Sequence, residues 1–372
     1  MPENKYADYL DLRKLVYSLF NIFKSESKFI LLIGILLVTA SFATPYPDIA
    51  RWFGFILAAY SAVANDSIQT IGTFIVSNQH RKWYVLWLYI GLIFVITVTY
   101  SFIVFNGDVS YQRLQTPGLD QAPSSFTFLQ LIAPLILIVL TRLRMPVSTT
   151  FLLLTIFSTK SSAVLSVLTK SVSGYLVAFL SAIIVWFTIR KLVKYKFKGV
   201  AHPIWAVIQW ITSGTLWSVW VMQDAANIAV FLPRSLSLGG FIAFTLFIFF
   251  GLGLLFFMRG DRIQKIVNEK SGIADIRSAT LVDFVYALIL IYFKQISQIP
   301  MSTTWVFLGL LAGREVALSI TKKRQKRRKV KLKETLWMVS RDLLMAGIGL
   351  LVSLVLAIAI NHEMRAAFLN LF

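Results

Sequence analysis

Long uninterrupted apolar runs are the feature that most limits how this chain can fold. Such runs cover residues 83–105, 174–189, 240–258 and 346–360. Each is long enough, or nearly so, to cross a hydrocarbon core of about 30 Å, and none shows the alternating pattern of barrel strands. Only helices and closed barrels satisfy every backbone hydrogen bond inside a membrane. The runs therefore predict an all-α polytopic membrane protein.

Composition supports a membrane protein and excludes some kinds of site. Apolar residues make up 57% of the 372 residues and charged residues only 15%, whereas soluble domains contain about 45–50% and about 25%. Because cysteine is absent, disulfides and thiolate metal sites are excluded. The three histidines are far apart in the sequence, so we expect no histidine metal site, and we expect no cofactor.

The positions of the basic residues predict the orientation of the chain. A net charge of +20 would indicate nucleic-acid binding in a soluble protein, but here the basic residues concentrate in short loops between apolar runs. The positive-inside rule places Arg81, Arg142 and the run 190–198 in the cytoplasm and the segment 106–125 outside. We therefore expect no nucleic-acid partner, about 10–12 membrane segments and a cytoplasmic N-terminus without a cleavable signal peptide. The expected location is the plasma (inner) membrane.

The most basic segment, residues 322–333, has two interpretations. Its lysines and arginines have the chemistry to bind anionic lipid headgroups. Fixing the membrane topology is the favoured role, because basic residues next to a span hold it in the cytoplasm. Both interpretations make membrane lipid a partner of the chain.

Two short motifs occur once in each half of the sequence. The first is an amide residue, an aspartate and a second amide three positions after the aspartate; the second is Pro-x-Ser-Thr-Thr. The copies of the first motif are Asn65, Asp66 and Gln69, then Gln223, Asp224 and Asn227, and the copies of the second end in Ser148, Thr149 and Thr150, then Ser302, Thr303 and Thr304. Asp66 precedes Pro146 by 80 residues, and Asp224 precedes Pro300 by 76. Two unlike motifs in the same order at similar separation indicate an internal repeat.

Charge placement predicts that the two repeats have opposite orientations. The segment with Asp66 runs inward toward Arg81, whereas the segment with Asp224 runs outward from the basic loop that ends at Lys198. The Pro-x-Ser-Thr-Thr copies likewise begin at opposite faces. Inverted-topology repeats are typical of secondary transporters, which bind their substrates near the bilayer midplane through broken helices.

This interpretation divides the chain into four parts. Residues 1–27 form a cytoplasmic N-terminal segment, 28–190 the first inverted repeat, 191–202 a cytoplasmic linker and 203–372 the second inverted repeat. Lys160 and Lys170 interrupt the segment after the first hydroxyl triplet, which predicts a re-entrant half-helix there. The repeats are therefore expected to contain broken or re-entrant helices.

The two motif aspartates predict a cation site. A carboxylate inside an apolar span is costly unless it is paired or hydrated, so such residues are functional by default. Asp66 and Asp224, with the amide oxygens of Asn65, Gln69, Gln223 and Asn227, offer the oxygen ligands that suit Na+. The same carboxylates are able to carry H+ instead. The structural alternative is that each aspartate caps the start of a half-helix.

The two hydroxyl triplets predict an anion site. Pro-x-Ser-Thr-Thr begins a helix well, because proline is favoured in the first turn and Ser or Thr satisfies free N–H groups there. Such a helix start also offers N–H donors, hydroxyls and the positive end of the helix dipole to an anion. A single copy is explained by capping alone. Two copies, in register with two aspartates, predict one tetrahedral oxyanion site.

These paired motifs resemble those of the inorganic phosphate transporter (PiT) family, whose repeats carry Gly-Ala-Asn-Asp-x-Ala-Asn and Pro-x-Ser-Thr-Thr-His. The similarity covers most of residues 28–360 and extends to the segment 260–278 and to Gly309 and Gly313. It implies secondary active transport of inorganic phosphate, or of a similar oxyanion, coupled to Na+ or H+. It also implies a homodimer and no enzymatic activity.

Four positions depart from the pattern of that family. Gln69 and Gln223 replace asparagines, and each moves the amide oxygen by one methylene, about 1.5 Å along the side chain. Phe151 and Trp305 stand where the family has histidine after each triplet. Because of these departures, the resemblance does not decide between Na+ and H+ as the coupling ion. It also does not decide between phosphate and sulfate as the substrate.

Two other classes of function remain as alternatives. A membrane enzyme acting on lipid or polyprenyl substrates would show clustered acids, histidines or arginines at one face, whereas the motif acids here are isolated and deep. A channel or a non-transporting sensor of the same fold is compatible with the replaced amides.

Overall fold

The structure of the protein is a computed structural model that describes residues 26–143, 145, 147–196, 199–258, 275–320 and 325–369. The N-terminal segment up to residue 25, Arg144, Pro146, most of the segment 260–278 and the side chains of the basic runs 190–198 and 322–331 lie outside this description. The described parts contain helices and no strand. The prediction of an all-α protein is therefore confirmed for them.

Thirteen α-helices occur in the described residues. They are α1 (Ser27–Ala43), α2 (Pro47–Ser61), α3 (Ser67–Ser77), α4 (Trp83–Val104), α5 (Phe128–Arg142), α6 (Thr155–Phe157), α7 (Ser161–Lys196), α8 (Ile204–Ala229), α9 (Leu238–Phe257), α10 (Ile276–Ile296), α11 (Thr303–Ile320), α12 (Gln325–Ile360) and α13 (His362–Leu369). Helix α7 continues to Lys196 and so extends into the predicted linker 191–202.

Several of these helices have the length and composition of membrane spans. Within the described residues six qualify: α4, the Ser161–Ile189 part of α7, α9, α10, α11 and the Leu332–Ile360 part of α12. Helices α1 and α5 are apolar but shorter. A polytopic membrane protein is therefore supported, while the finer count of 10–12 segments and the orientation of the N-terminus stay predictions.

Two helices contain a wider, π-helical turn at a motif residue. One turn, Ala62–Asp66, joins α2 to α3 and ends on the first motif aspartate. The other, Thr150–Leu154, leads into the three-residue helix α6. A π-helical turn shifts the following side chains around the helix axis and is frequent at functional sites. Both turns therefore alter the direction of side chains in the first copies of the motifs.

Helices α7 and α11 lie in backbone contact. A Cβ atom at Gly309 would collide with the carbonyl oxygen of Tyr175, and one at Gly313 would collide with that of Phe179. Glycines spaced by four residues let two membrane helices approach this closely. The two glycines therefore determine how close the Pro-x-Ser-Thr-Thr helix of the second half lies to a helix of the first half.

The helices of the two halves pack in corresponding pairs. Helix α7 packs along α11, and α12 packs on the π-helical turn Thr150–Leu154 and on α6. Helix α2 packs on α5, and α8 packs on α10. Helices α4 and α9, which follow the two aspartate motifs, pack on each other. Each of these contacts therefore has a counterpart in the other half, and together they surround the motif residues.

Candidate functional site

The first aspartate is bonded to the hydroxyl triplet of its own half. Asp66 is 2% exposed and lies at the end of the π-helical turn. The Thr149 hydroxyl donates a short hydrogen bond to Asp66 Oδ2, and Asn65 Nδ2 donates to Asp66 Oδ1 at 2.8 Å. Both carboxylate oxygens therefore have a side-chain donor.

The second aspartate has a similar but less complete set of partners. Asp224 is also 2% exposed and lies within α8. Asn227 Nδ2 donates to Asp224 Oδ1 at 2.5 Å, and the Thr303 side chain approaches the carboxylate. In each half, then, an aspartate meets one asparagine and the second residue of the hydroxyl triplet.

Hydrogen bonds also join the two halves at this place. Asn227 Nδ2 donates to Thr150 Oγ1 at 3.1 Å, and the Thr150 hydroxyl donates to the Met301 carbonyl oxygen at 3.2 Å. The two aspartates are close enough for the Asp66 charge to act on Asp224. All four motif copies therefore meet in one buried polar cluster, hereafter the central cluster.

Three oxygen atoms of the second motif copy are buried without a hydrogen-bond partner. They are Gln223 Oε1, Asp224 Oδ2 and Asn227 Oδ1, all within one turn of α8. The Gln223 amide is anchored by its nitrogen, which donates to the Leu290 carbonyl oxygen at 3.2 Å. Buried acceptors without donors are costly, and a bound cation is one way to satisfy them. The donor set therefore fits a cation such as Na+.

The cation ligands predicted in the first copy are arranged differently. Asn65 is occupied with Asp66, and Gln69 lies half-buried within one turn of that aspartate. No group of three or more His, Cys, Asp or Glu side chains suited to a metal occurs in the part of the chain that the structure describes. A cation here would therefore depend mainly on amide and hydroxyl oxygens.

The serine of each hydroxyl triplet caps the helical turn that follows it. Ser148 Oγ accepts from the Phe151 N–H at 3.2 Å, and Ser302 Oγ accepts from the Trp305 N–H at 3.2 Å. The threonines Thr149, Thr150, Thr303 and Thr304 are all buried. Capping therefore explains the serines, whereas the first three threonines contact polar groups of the central cluster.

The capping interpretation of the aspartates is wrong. The Asp66 side chain makes no capping hydrogen bond to α3, and its partners are the side chains of Asn65 and Thr149. Asp224 lies inside α8 and not at its start. Neither carboxylate is therefore accounted for by helix capping.

Phe151 and Trp305 pack against each other across the two halves. Their ring centroids are 5.5 Å apart and their planes are tilted by 54°. Phe151 is 1% exposed. The positions at which the resembled family has histidines are therefore occupied by an apolar contact next to the central cluster.

Two buried basic side chains lie beside the second Pro-x-Ser-Thr-Thr segment. Arg113 is 0% exposed, and its guanidinium donates to the carbonyl oxygens of Met222 at 2.8 Å and of Gln298 and Ile299 at 3.2 Å. Lys170 Nζ donates to the carbonyl oxygen of Ile299 at 2.5 Å and to that of Ser297. Burial lowers the pKa of Arg113 to about 10, against the effect of the Asp224 charge, so this arginine is cationic at neutral pH.

These two basic residues were not placed at the site from the sequence, although Lys170 was used to predict a break in an apolar segment. Arg113 is the one basic residue of the predicted outer segment 106–125, which was a signal that it has a special partner. Its partners are backbone carbonyl oxygens, and side-chain patterns do not reveal such acceptors. Arg314 forms an ion pair with its neighbour Glu315, whose Oε1 lies 2.6 Å from the guanidinium.

A third aspartate is buried away from the central cluster. Asp283 lies in α10 and is only 1% exposed. It accepts hydrogen bonds from Thr73 and Ser213. The sequence signal was its position inside an apolar run, which is the same signal that singled out Asp66 and Asp224.

No protein-family model, curated protein or solved structure matches this chain. The motifs and the geometry of the site therefore carry the functional argument.

Proposed function

We propose that the protein is a secondary active transporter that moves inorganic phosphate, or a similar oxyanion such as sulfate, across a membrane together with Na+ or H+. The observation that carries this proposal is the central cluster. Four motif copies from distant parts of the sequence meet there and bring two buried carboxylates beside the buried side chains of Thr149, Thr150 and Thr303. A cluster of this kind inside an apolar helical protein is expected to have a function, because intramembrane acids are costly.

The charges in the cluster explain why the substrate and the cation would move together. An oxyanion beside Asp66 and Asp224 experiences strong repulsion in a medium of low dielectric constant. A cation bound to the unpartnered oxygens of Gln223, Asp224 and Asn227 would reduce this repulsion. The cation therefore binds first, and the hydroxyls of the triplets then bind the anion.

The corresponding helix pairs of the two halves support an inverted-repeat architecture. In such transporters, the two repeats surround one site, and rocking of helix groups exposes it to each side in turn. The resemblance of the motifs to the phosphate transporter family points to the same mechanism. We extend the proposal to Na+ at Asp66 and Asp224, to a plasma-membrane location with a cytoplasmic N-terminus, and to a homodimer.

Uptake into proteoliposomes tests the transport function. Purified protein is reconstituted, and uptake of radiolabelled phosphate and sulfate is measured with a Na+ gradient, with a pH gradient, with both and with neither. We expect saturable uptake of one anion that depends on one gradient. Asp48→Asn is the matched control, because the Asp48 side chain is 90% exposed and pairs only with Arg51 in the described residues. If neither anion shows saturable uptake under any gradient, the proposed transport function is refuted.

A non-transporting sensor is the second candidate, and the Phe151–Trp305 contact favours it. An aromatic pair between the two halves replaces residues that are polar in the resembled family. Equilibrium binding of radiolabelled phosphate to the detergent-solubilised protein separates the two functions. Saturable binding without uptake would assign the protein to the sensor class.

A further inference from the structure

We propose that Asp283 of α10, which faces buried polar residues of α3 and α8, is a proton-binding site separate from the central cluster, and that it serves proton coupling. The role in coupling rests on the proposed transport function. The binding of a proton at Asp283 does not, because it follows from the surroundings of this side chain alone.

Asp283 is held by two hydroxyl groups from two other helices. The Thr73 hydroxyl of α3 donates to Asp283 Oδ1 at 2.6 Å, and the Ser213 hydroxyl of α8 donates to Asp283 Oδ2 at 2.5 Å. All three side chains are buried, with exposures of 3%, 1% and 1% for Thr73, Ser213 and Asp283. Distances of about 2.5–2.7 Å are typical of hydroxyl groups that donate to a carboxylate. The carboxylate therefore joins three helices at one point.

This arrangement favours a proton over a metal ion. A metal cation binds oxygen lone pairs, whereas both hydroxyls here direct a hydrogen toward the carboxylate, one to each oxygen. A protonated carboxyl group keeps both contacts, because a hydroxyl accepts as well as donates. Asp224 differs, since one of its oxygens has no donor and two amide oxygens without partners lie within a turn of it. Asp283 therefore suits H+, and Asp224 suits a metal cation.

Two hydroxyl groups, one on α10 and one on α3, contact backbone groups of the central cluster. On α10, Tyr286 lies one turn after Asp283, and its hydroxyl donates to the Thr303 carbonyl oxygen at 2.9 Å. On α3, Thr70 lies one turn before Thr73, and its side chain is within reach of the Tyr286 hydroxyl. Thr70 in turn donates to the Asp66 carbonyl oxygen at 3.4 Å. Hydroxyl groups one helical turn from Asp283 and from Thr73 therefore contact both halves of the cluster.

Further buried polar groups lie at the end of α3 that leads to the loop with Arg81. Ser77 lies one turn beyond Thr73, and its hydroxyl oxygen is buried without a partner. Asn78 Nδ2 donates to Gln209 Oε1 at 2.9 Å, and Gln209 Nε2 is also buried without a partner. From Thr73 to Asn78 is about 7.5 Å along a helix. Asp283 therefore lies between the central cluster and the Arg81 end of α3.

In the described part of the chain no salt bridge involves Asp283. The helices that pack against α10 carry several charged or titratable groups whose side chains the structure describes. They are Asp66 before α3, Asp224 on α8, Lys170 and Tyr175 on α7, and Arg314 and Glu315 on α11, with Arg277, Tyr286, Tyr292 and Lys294 on α10 itself. The hydroxyl groups of Thr73 and Ser213 are thus the direct partners of the carboxylate. Its proton occupancy is set by burial and by these two donors.

Infrared spectroscopy of the full chain in lipid tests the proton site without requiring transport. The C=O stretch of protonated carboxylic acids is recorded during a pH titration of wild type, Asp283→Asn and the exposed-residue control Asp48→Asn. We expect a titrating component that is present in wild type and in the control and absent from Asp283→Asn. Identical titrations in all three proteins would overturn the proposal. This result is independent of uptake, so a failure of the transport function is recognised separately.

Two further variants keep the Asp283 carboxyl group, so they test the proposal even if Asp283→Asn fails to fold. Thr73→Val and Ser213→Ala each remove one hydroxyl donor. In both we expect the Asp283 component to remain and its titration midpoint to move by about one pH unit. An unchanged midpoint in both variants would overturn the assignment of the hydroxyls as partners of the titrating group.

Phosphate transport tests the role in coupling. Asp283→Asn is expected to keep phosphate–phosphate exchange at equal pH near the wild-type rate and to lose accumulation driven by a pH gradient by at least about tenfold. Wild-type accumulation in this variant, or equal loss of exchange and accumulation, would overturn proton coupling through Asp283. If the wild-type protein shows no uptake of any kind, the transport function is refuted, but the infrared result at Asp283 remains valid.

Discussion

The two copies of the aspartate motif differ in how completely their own side chains satisfy the carboxylate. Asp66 has a donor on each oxygen, from Asn65 and Thr149. Asp224 Oδ2 has no donor with hydrogen-bond geometry, although the Thr303 side chain lies near the carboxylate, and the amide oxygens of Gln223 and Asn227 have no partner either. The first copy is therefore closed by internal hydrogen bonds, and the second is open to a cation.

The exchange of asparagine and glutamine between the copies explains part of this difference. In each copy the asparagine bonds the aspartate: Asn65 precedes Asp66, and Asn227 follows Asp224. The longer Gln223 reaches past the carboxylate to the Leu290 carbonyl oxygen of α10. The glutamines are therefore not equivalent substitutes for the asparagines of the resembled family, and they make the two copies chemically unequal.

Among the variants that test this difference between the two copies, Asp224→Asn should have the largest effect, on Na+ affinity. The change removes the negative charge and places an amide beside oxygens that have no donor. Loss of interactions with a charged group costs about 1.5–3 kcal/mol, which corresponds to roughly a 10–150-fold loss of Na+ affinity. Binding of radiolabelled Na+ and coupled uptake measure it, with Asp48→Asn as the control. Wild-type Na+ binding in this variant would show that the second copy is not the cation site.

Gly309→Ala should have the next largest effect, which is to lower the free energy of unfolding of the protein. The added methyl group collides with the Tyr175 carbonyl oxygen, and overpacking of this kind costs about 1–3 kcal/mol. Thermal unfolding in detergent measures the loss. Gly347→Ala on α12 is the matched control, because nothing lies within 4 Å of a Cβ atom there. Equal melting temperatures of the two variants would contradict the close contact of α7 with α11.

Asp66→Asn should have a smaller effect than Asp224→Asn. The asparagine retains an oxygen that accepts from Thr149 or Asn65, and so part of the closed hydrogen-bond set survives. We expect about a tenfold loss of uptake, since one net hydrogen bond to a charged group is worth about 1.5 kcal/mol or more. The measurement is the same as for Asp224→Asn. Equal losses of uptake in Asp66→Asn and Asp224→Asn would contradict the conclusion that the first copy is closed and the second is open.

Gln223→Asn should have the smallest effect. The shorter side chain loses the hydrogen bond to the Leu290 carbonyl oxygen, which is worth about 1 kcal/mol and corresponds to about a fivefold change in affinity. Na+ binding is compared with that of Gln69→Asn, which alters the closed copy by the same methylene. A larger change in Gln69→Asn would indicate that the first copy holds the cation.

The helical membrane architecture was predictable from the sequence. The length of an apolar run shows whether a helix can span a membrane, and basic residues between the runs mark the loops. The meeting of the motif residues was expected from the repeat of the two motifs, and the structure brings those residues together. The burial of Asp283 and the bonds of Arg113 were not predictable in the same way. Their partners are hydroxyls on other helices and backbone carbonyl oxygens, and a single sequence does not show which face of a helix meets which neighbour.

The π-helical turn at Asp66 was also not predictable. Residues 62–66 have ordinary helix-forming side chains apart from the motif itself, and a wider turn arises from tertiary contacts as much as from propensity. The aspartate was identifiable by its type and its surroundings, whereas its side-chain direction depends on the turn. Sequence patterns therefore identified the site residues better than their hydrogen-bond partners.

The backbone contact between α7 and α11 limits the motions that this molecule is able to make. Two helices whose glycines touch the facing carbonyl groups do not slide past one another without large steric cost. One of them belongs to the first half of the sequence and the other to the second. Any rigid-body movement that displaces α7 must therefore displace α11 with it, so this mechanical unit contains helices from both halves of the sequence.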